Sequence, residues 1–86
     1  MYAIVDIETT GGHASASGIT EVAIYLHDGK EVVQQYETLV NPGVPIPYHI
    51  QSLTGITNDM VADAPPFETV APLIAGLLKD RIFVAH

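Results

Sequence analysis

Along the first half of the chain, apolar and polar positions alternate with the two-residue period of β-strands. Residues 1–5, Met-Tyr-Ala-Ile-Val, are an unbroken apolar run with two β-branched residues, the pattern of a strand buried on both faces. Asp6, Ile7 and Glu8 extend it. Because successive side chains take opposite faces, Asp6 and Glu8 project from one side, about 7 Å apart, and Ile7 is predicted to point into the core. Gly11-Gly12 then turns the chain. Residues 19–27 place Val22, Ile24 and Leu26 on one face and Glu21, Ala23 and Tyr25 on the other, which predicts a second strand. Asp28-Gly29 predicts a tight type I′ hairpin into a third strand over residues 31–40, carrying Val32, Val33, Tyr36, Leu39 and Val40. The product is a three-stranded antiparallel meander.

The second half changes period. Pro42, Pro45 and Pro47 remove backbone donors and fix φ, so residues 41–47 are predicted to be a rigid crossing loop. Residues 48–53 suit a short helix ended by Gly55, and Thr57 suits the cap of another turn over residues 58–62. Pro65-Pro66 opens the longest helix, with Pro66 in its first position. Phe67, Val70, Ala71, Ile74, Leu77 and Leu78 recur at the spacing of a single buried face, while Pro72 and Gly76 weaken the helix intrinsically. Residues 81–86, with Ile82-Phe83-Val84-Ala85 at their centre, read as a buried strand that a right-handed crossover lays parallel to the first. Tyr25, Tyr36 and Tyr48 are assigned to core and interface packing in preference to a base-stacking platform. Residues 11–18 are small and polar, a connecting loop in which His13 is solvated.

The chemistry concentrates at Asp6 and Glu8. Two carboxylates so close repel, so either one retains its proton, or a cation lies between them, or both cap a strand end in water. A hard divalent ion, Mg²⁺ or Mn²⁺, suits oxygen ligands of this kind. Charge pulls the other way. The net charge of −7, from ten acids against three Lys and Arg, disfavours a phosphate-coated partner unless bound metal inverts the local field. With 86 residues, 48% of them hydrophobic and none cysteine, the chain makes at most one small globular domain without a disulfide framework. No apolar run is long enough to span a bilayer, and a cytoplasmic location is expected.

The string I-V-D-I-E-T-T-G at residues 4–11 resembles the first motif of the DEDD (DEDDh-type) 3′–5′ exonucleases, a family that includes the proofreading epsilon subunit of bacterial DNA polymerase III. The segment L-V-N-P-G-x-P-I-P, followed by L-T-G-I-T-N-D-M-V-x-x-A-P, is similar to the same family. The resemblance implies an α/β, ribonuclease H-like fold, here incomplete: three antiparallel strands, a crossover helix and a fourth strand parallel to the first. It implies phosphodiester hydrolysis at a 3′ end with two Mg²⁺ or Mn²⁺ ions, Asp6 and Glu8 being catalytic and metal-binding. The partner implied is single-stranded or 3′-terminal DNA, with RNA open, and no membrane. Ile7, Glu8, Thr9, Thr10, His49, Leu53 and Thr54 would contact the terminal nucleotide. Many relatives carry a histidine where this chain has Thr54, and Glu21 matches a glutamate of structural role.

By the same resemblance, residues 1–86 are the N-terminal portion of one exonuclease domain. In the family the segment like F-V-A-H continues into an asparagine and a phenylalanine-aspartate pair, and a later motif supplies a histidine and a fourth acid. His86 is assigned to the strand end and not to the missing base. The chain alone is expected to be inactive and to self-associate through open sheet edges. A ribonuclease H-type endonuclease and a non-catalytic interaction module are the alternative readings.

Overall fold

Strand β1 (Tyr2–Thr9) has both of its edges paired, but it is not buried on both faces as expected: Ala3 is buried, Ile4 and Val5 are half-buried and Tyr2 is 39% exposed. In the computed structural model, which describes residues 1–11 and 18–86, the sheet order is β3-β2-β1-β4. Strand β2 (Ile19–His27) runs antiparallel to β1, β3 (Val32–Leu39) antiparallel to β2, and β4 (Ile82–Ala85) parallel to β1. This is the arrangement expected of the opening of a ribonuclease H-like fold. The loop assigned around His13 lies outside the described residues.

The β1–β2 register sorts the side chains onto two faces. Ala3 pairs with Leu26, Val5 with Ile24 and Ile7 with Val22; Asp6 pairs with Ala23 and Glu8 with Glu21. Helix α3 (Phe67–Leu78) covers the first of these faces. Val70 joins Ala3, Val22, Ile24, Leu26 and Val40 in one buried cluster, with Ile74, Leu77 and Leu78 packed at its margin. Removing that apolar surface from water holds a helix interrupted by Pro72 against the sheet. The acids therefore occupy the face away from α3.

Two short helices fill the connection from β3 to α3. Helix α1 (Tyr48–Thr54) ends where Gly55, at φ 78°, takes the left-handed C-cap position. Helix α2 (Asn58–Val61) is capped by the Thr57 hydroxyl, which accepts from Met60 N at 3.3 Å. Ile46, Ile56 and Val61 form a second buried cluster, against which Leu39 and Ile50 pack. Asn41 ties this region to α3: its backbone N–H donates to Pro65 O at 2.9 Å, and its side chain accepts from Gly43 N at 2.9 Å.

Several sequence expectations need correction. The hairpin is not type I′, because Gly29 has positive φ but Asp28 does not. Asp28 instead turns the chain with its carboxylate, which accepts from Lys30 N at 2.8 Å and Glu31 N at 3.0 Å. Pro66 is the N-cap of α3 and not its first helical residue, and Phe67 is 40% exposed where a buried position was expected. Strand β4 takes the predicted place and direction but not the predicted burial. It is the sheet edge, and Ile82, Phe83 and Val84 are 58%, 59% and 37% exposed. Ile7 shares the core face yet is 46% exposed, because the cluster under α3 reaches Ala3 and Val5 and stops short of it.

Candidate active site

Alternation along β1 sets Asp6 and Glu8 on one side of the sheet, both half-buried, one pleat repeat of about 7 Å apart. The β2 register adds Glu21 directly across from Glu8, and β3 adds Glu37 across from Ala23 on the same face. Burial, then the Glu37, Glu8 and Asp6 carboxylates, push the Glu21 carboxyl above its ordinary range. Glu37 is partly engaged elsewhere. It accepts from the Tyr25 hydroxyl at 2.8 Å and from Gln35 Nε2 at 3.1 Å, and the first of these bonds, with burial, raises the Tyr25 phenol.

His86 enters the site through the parallel ladder. Because Val5 pairs with Ala85, the next residue falls beside Asp6: His86 N donates to Val5 O at 2.9 Å, and its Nδ1 lies 3.8 Å from Asp6 Oδ1. The sequence places His86 at the strand end, as found, but gives no sign of this neighbour, since the pairing offset between two parallel strands is not written in either strand's pattern.

The residues after Glu8 form a rigid shoulder. Thr9 Oγ1 accepts from Gly11 N at 3.1 Å. Thr10 is buried, and it clamps Gly18 twice: its N–H donates to Gly18 O at 2.9 Å, and its Oγ1 accepts from Gly18 N at 3.0 Å. Gly11 abuts α1, for a Cβ there would meet Ile50 Cδ1 at 3.0 Å. Helix α1 is thus held beside the end of the acid strand.

On α1 the predicted contact residues divide. His49 and Leu53, one turn apart, are exposed, Leu53 by 80%. Thr54 is turned inward, where its hydroxyl donates to Ile50 O at 2.9 Å and accepts from Ile56 N at 3.1 Å, so it closes the helix and has no proton left to donate elsewhere. Tyr36 packs at the margin of the core and Tyr25 is half-buried, as assigned, but Tyr48 is 83% exposed, against the expectation that it packs. Proline-fixed entry at Pro47 and the inward pull of Ile50 rotate it out to solvent.

Asp6 and Glu8 supply hard oxygen donors on one face, a donor set whose chemistry would fit a divalent cation such as Mg²⁺ or Mn²⁺. Among the described residues, no three His, Cys, Asp or Glu side chains converge as a complete ligand set. A cavity of about 310 Å³ beside Gly18, Ile19, Pro42, Phe67 and Glu68 shares no residue with the acids. No helix among the described residues is long and apolar enough to cross a membrane.

Comparison with known proteins agrees with the geometry. The chain is 38% identical over 85 residues to the 3′-5′ exonuclease DinG of Staphylococcus aureus strain USA300, a match that covers 99% of this chain and 10% of that protein. It superimposes on Exonuclease X, solved in complex with 5′ overhanging duplex DNA, with a TM-score of 0.84 and 34% identity, covering 100% of this chain and 48% of the other. The nuclease domain of 3′hExo, a DEDDh family member bound to rAMP, shares the fold, with a TM-score of 0.78 and 22% identity over 98% of this chain and 49% of its own. The chain thus spans about a tenth of the DinG relative and about half of the two nuclease structures. With the RNase_T exonuclease family matching residues 3–86, the chain belongs to that family.

Proposed function

We propose that this chain is the N-terminal portion of one exonuclease domain and contributes the first two acids of a divalent-metal-dependent 3′–5′ exonuclease. The observation that carries the reading is the placement of Asp6 and Glu8 together on the face of β1 away from α3, with α1 held against Gly11 beside them. In this reading Asp6 and Glu8 hold the ions. Bound there, two Mg²⁺ or Mn²⁺ ions would activate water and stabilise the leaving oxygen of the phosphodiester.

The chain's own groups position the substrate end. Glu8 accepts from the terminal 3′-hydroxyl, and Ile7 and Thr9 flank the nucleotide. Thr10 acts through the Gly18 clamp that fixes this shoulder. His49 and Leu53 bound the nucleotide from α1, while Thr54, its hydroxyl already committed, contributes only its methyl group and backbone. The substrate is a nucleic-acid 3′ end, DNA by likeness to Exonuclease X. Activity resides in a longer protein, with the chain alone inactive for want of further acids, and its exposed β4 edge pairs with other strands.

The test is hydrolysis of a 5′-labelled single strand by the longer protein with Mg²⁺ or Mn²⁺. A ladder of single-nucleotide steps from the 3′ end is expected. Internal cuts would assign a ribonuclease H-type endonuclease, and absence of metal-dependent products would remove the nuclease reading.

A further inference from the structure

The cavity of about 310 Å³ lies between the start of β2, the proline loop and the start of α3. Its floor, Gly18, Ile19, Asn41 and Pro42, is half-buried, and bonds within this chain hold it in shape. Thr10 holds both the N–H and the C=O of Gly18. Asn41 donates its backbone N–H to Pro65 O at 2.9 Å, accepts from Gly43 N at 2.9 Å, and donates from Nδ2 to Ala62 O at 3.4 Å. With these groups engaged, the floor has little to offer a polar ligand. Walled by Ile19, Pro42 and Phe67, it suits an apolar group. Its volume is at the small end of ligand pockets, room for one side chain and its flanking backbone.

The rim is acidic. Glu68 lines the mouth, is exposed, and enters no ion pair among the described residues. A second exposed acid, Asp63, follows the residue whose carbonyl Asn41 reaches. Ile19 pairs with Thr9, so the cavity stands at the end of the sheet where β1 finishes, the end that also carries Glu8 and Glu21. The chain's three Lys and Arg stand at the other end. Lys30 lies in the β2–β3 turn, and Lys79 and Arg81 lead into β4, where Ile82 N donates to Met1 O at 3.0 Å. Thr9 is seven residues from Tyr2, about 23 Å, more than twice the Debye length at 0.1 M salt, so those cations do not offset the acids here. The local field repels phosphate-bearing partners and draws cationic ones.

We propose that this cavity is a docking seat for a basic peptide segment of a partner protein, one apolar side chain filling it and the Lys or Arg beside that side chain meeting Glu68. An apolar anchor in a preformed pocket carries most of the binding, and the charge at the rim selects the partner and its orientation. The seat shares no residue with Asp6 and Glu8, so it stands or falls apart from the exonuclease reading.

The experiment measures, by anisotropy, binding of the chain to a fluorescein-labelled Gly-Leu-Arg-Arg-Gly peptide and to two counterparts, one with Ala for Leu and one with Glu for both Arg. The first is expected to bind, the Ala peptide about tenfold more weakly, and the Glu peptide not at all. Phe67→Ala removes one wall and is expected to weaken the first peptide by about tenfold, with unchanged far-UV circular dichroism. Glu68→Gln is expected to weaken it by about threefold, while Glu31→Gln, in the turn at the far end, leaves it unchanged. No binding, equal affinity for the Leu and Ala peptides or for the Arg and Glu peptides, or an equal loss in Glu31→Gln and Glu68→Gln would overturn the inference. So would Phe67-dependent dimerisation, or Phe67-dependent binding of an oligothymidylate, in place of peptide binding.

Discussion

Glu21 sits directly across from Glu8 in the β1–β2 register, so that a third carboxylate borders the acid pair at a cross-strand Cβ spacing of about 5 Å. Burial is the main cause of its raised pKa, with the Glu37, Glu8 and Asp6 charges adding to it. A raised folded-state pKa means that the folded chain binds the proton more tightly than the unfolded chain. The metal-free protein therefore loses stability as pH rises from the ordinary glutamate range through the raised value. Glu21→Gln removes that loss. Thermal melts are expected to show the variant more stable than wild type at neutral pH, by up to about 0.5 kcal/mol, with the gap closing toward pH 4. A gap that widens in acid would show that Glu21 is held as a stabilising anion.

Asp28 carries the opposite sign. The Glu31 and Lys30 backbone N–H groups hold its carboxyl below the usual range, so its contribution is present above the ordinary aspartate pKa and is lost as pH falls through the lowered one. Asp28→Ala should lower the melting temperature at pH 7 and converge on wild type in acid. Equal melting temperatures at pH 7 would mean that Gly29 alone makes the turn.

Gly18 closes the neck below Thr10 and has no room to grow. A Cβ there would lie 2.5 Å from Pro42 O, a backbone atom that cannot rotate away. Gly18→Ala should cost about 1–3 kcal/mol in urea unfolding, through overpacking. Wild-type stability would show that the 41–43 loop yields.

The β4 edge predicts association. Ile82, Phe83 and Val84 are exposed on an edge strand with unpaired backbone groups, and such edges recruit other strands unless charged or covered. Light scattering of the isolated chain should give a mass above the monomer, and Val84→Lys should lower it. A sharp monomer for the wild type would contradict this.

Local rules made much of the sequence legible, though they put Pro66 one position too far into α3 and gave the turn at Asp28-Gly29 the wrong type. Alternation gave β2 over residues 19–27, and the cap chemistry of Gly55 and Thr57 bounded α1 and α2. Asp6 and Glu8 were found the same way, since same-face placement follows from spacing in a strand. What stayed hidden depends on partners far along the chain. An apolar run such as residues 82–85 has one pattern whether it is buried or stands at an edge, so the exposure of β4 could not be read. Likewise the Asp6–His86 contact follows from a pairing offset, and the outward turn of Tyr48 from where Ile50 finds its pocket.

The central claim is that Asp6 and Glu8 hold the metal of a 3′-end nuclease, and its most direct test is mononucleotide release from a 5′-labelled strand by the longer protein carrying Asp6→Ala or Glu8→Ala. The account predicts a loss of at least about 100-fold in either variant, since even groups that only support metal ligands cost 10–100-fold, with melting temperature no lower than wild type. Near-wild-type release from either variant with intact folding would contradict it.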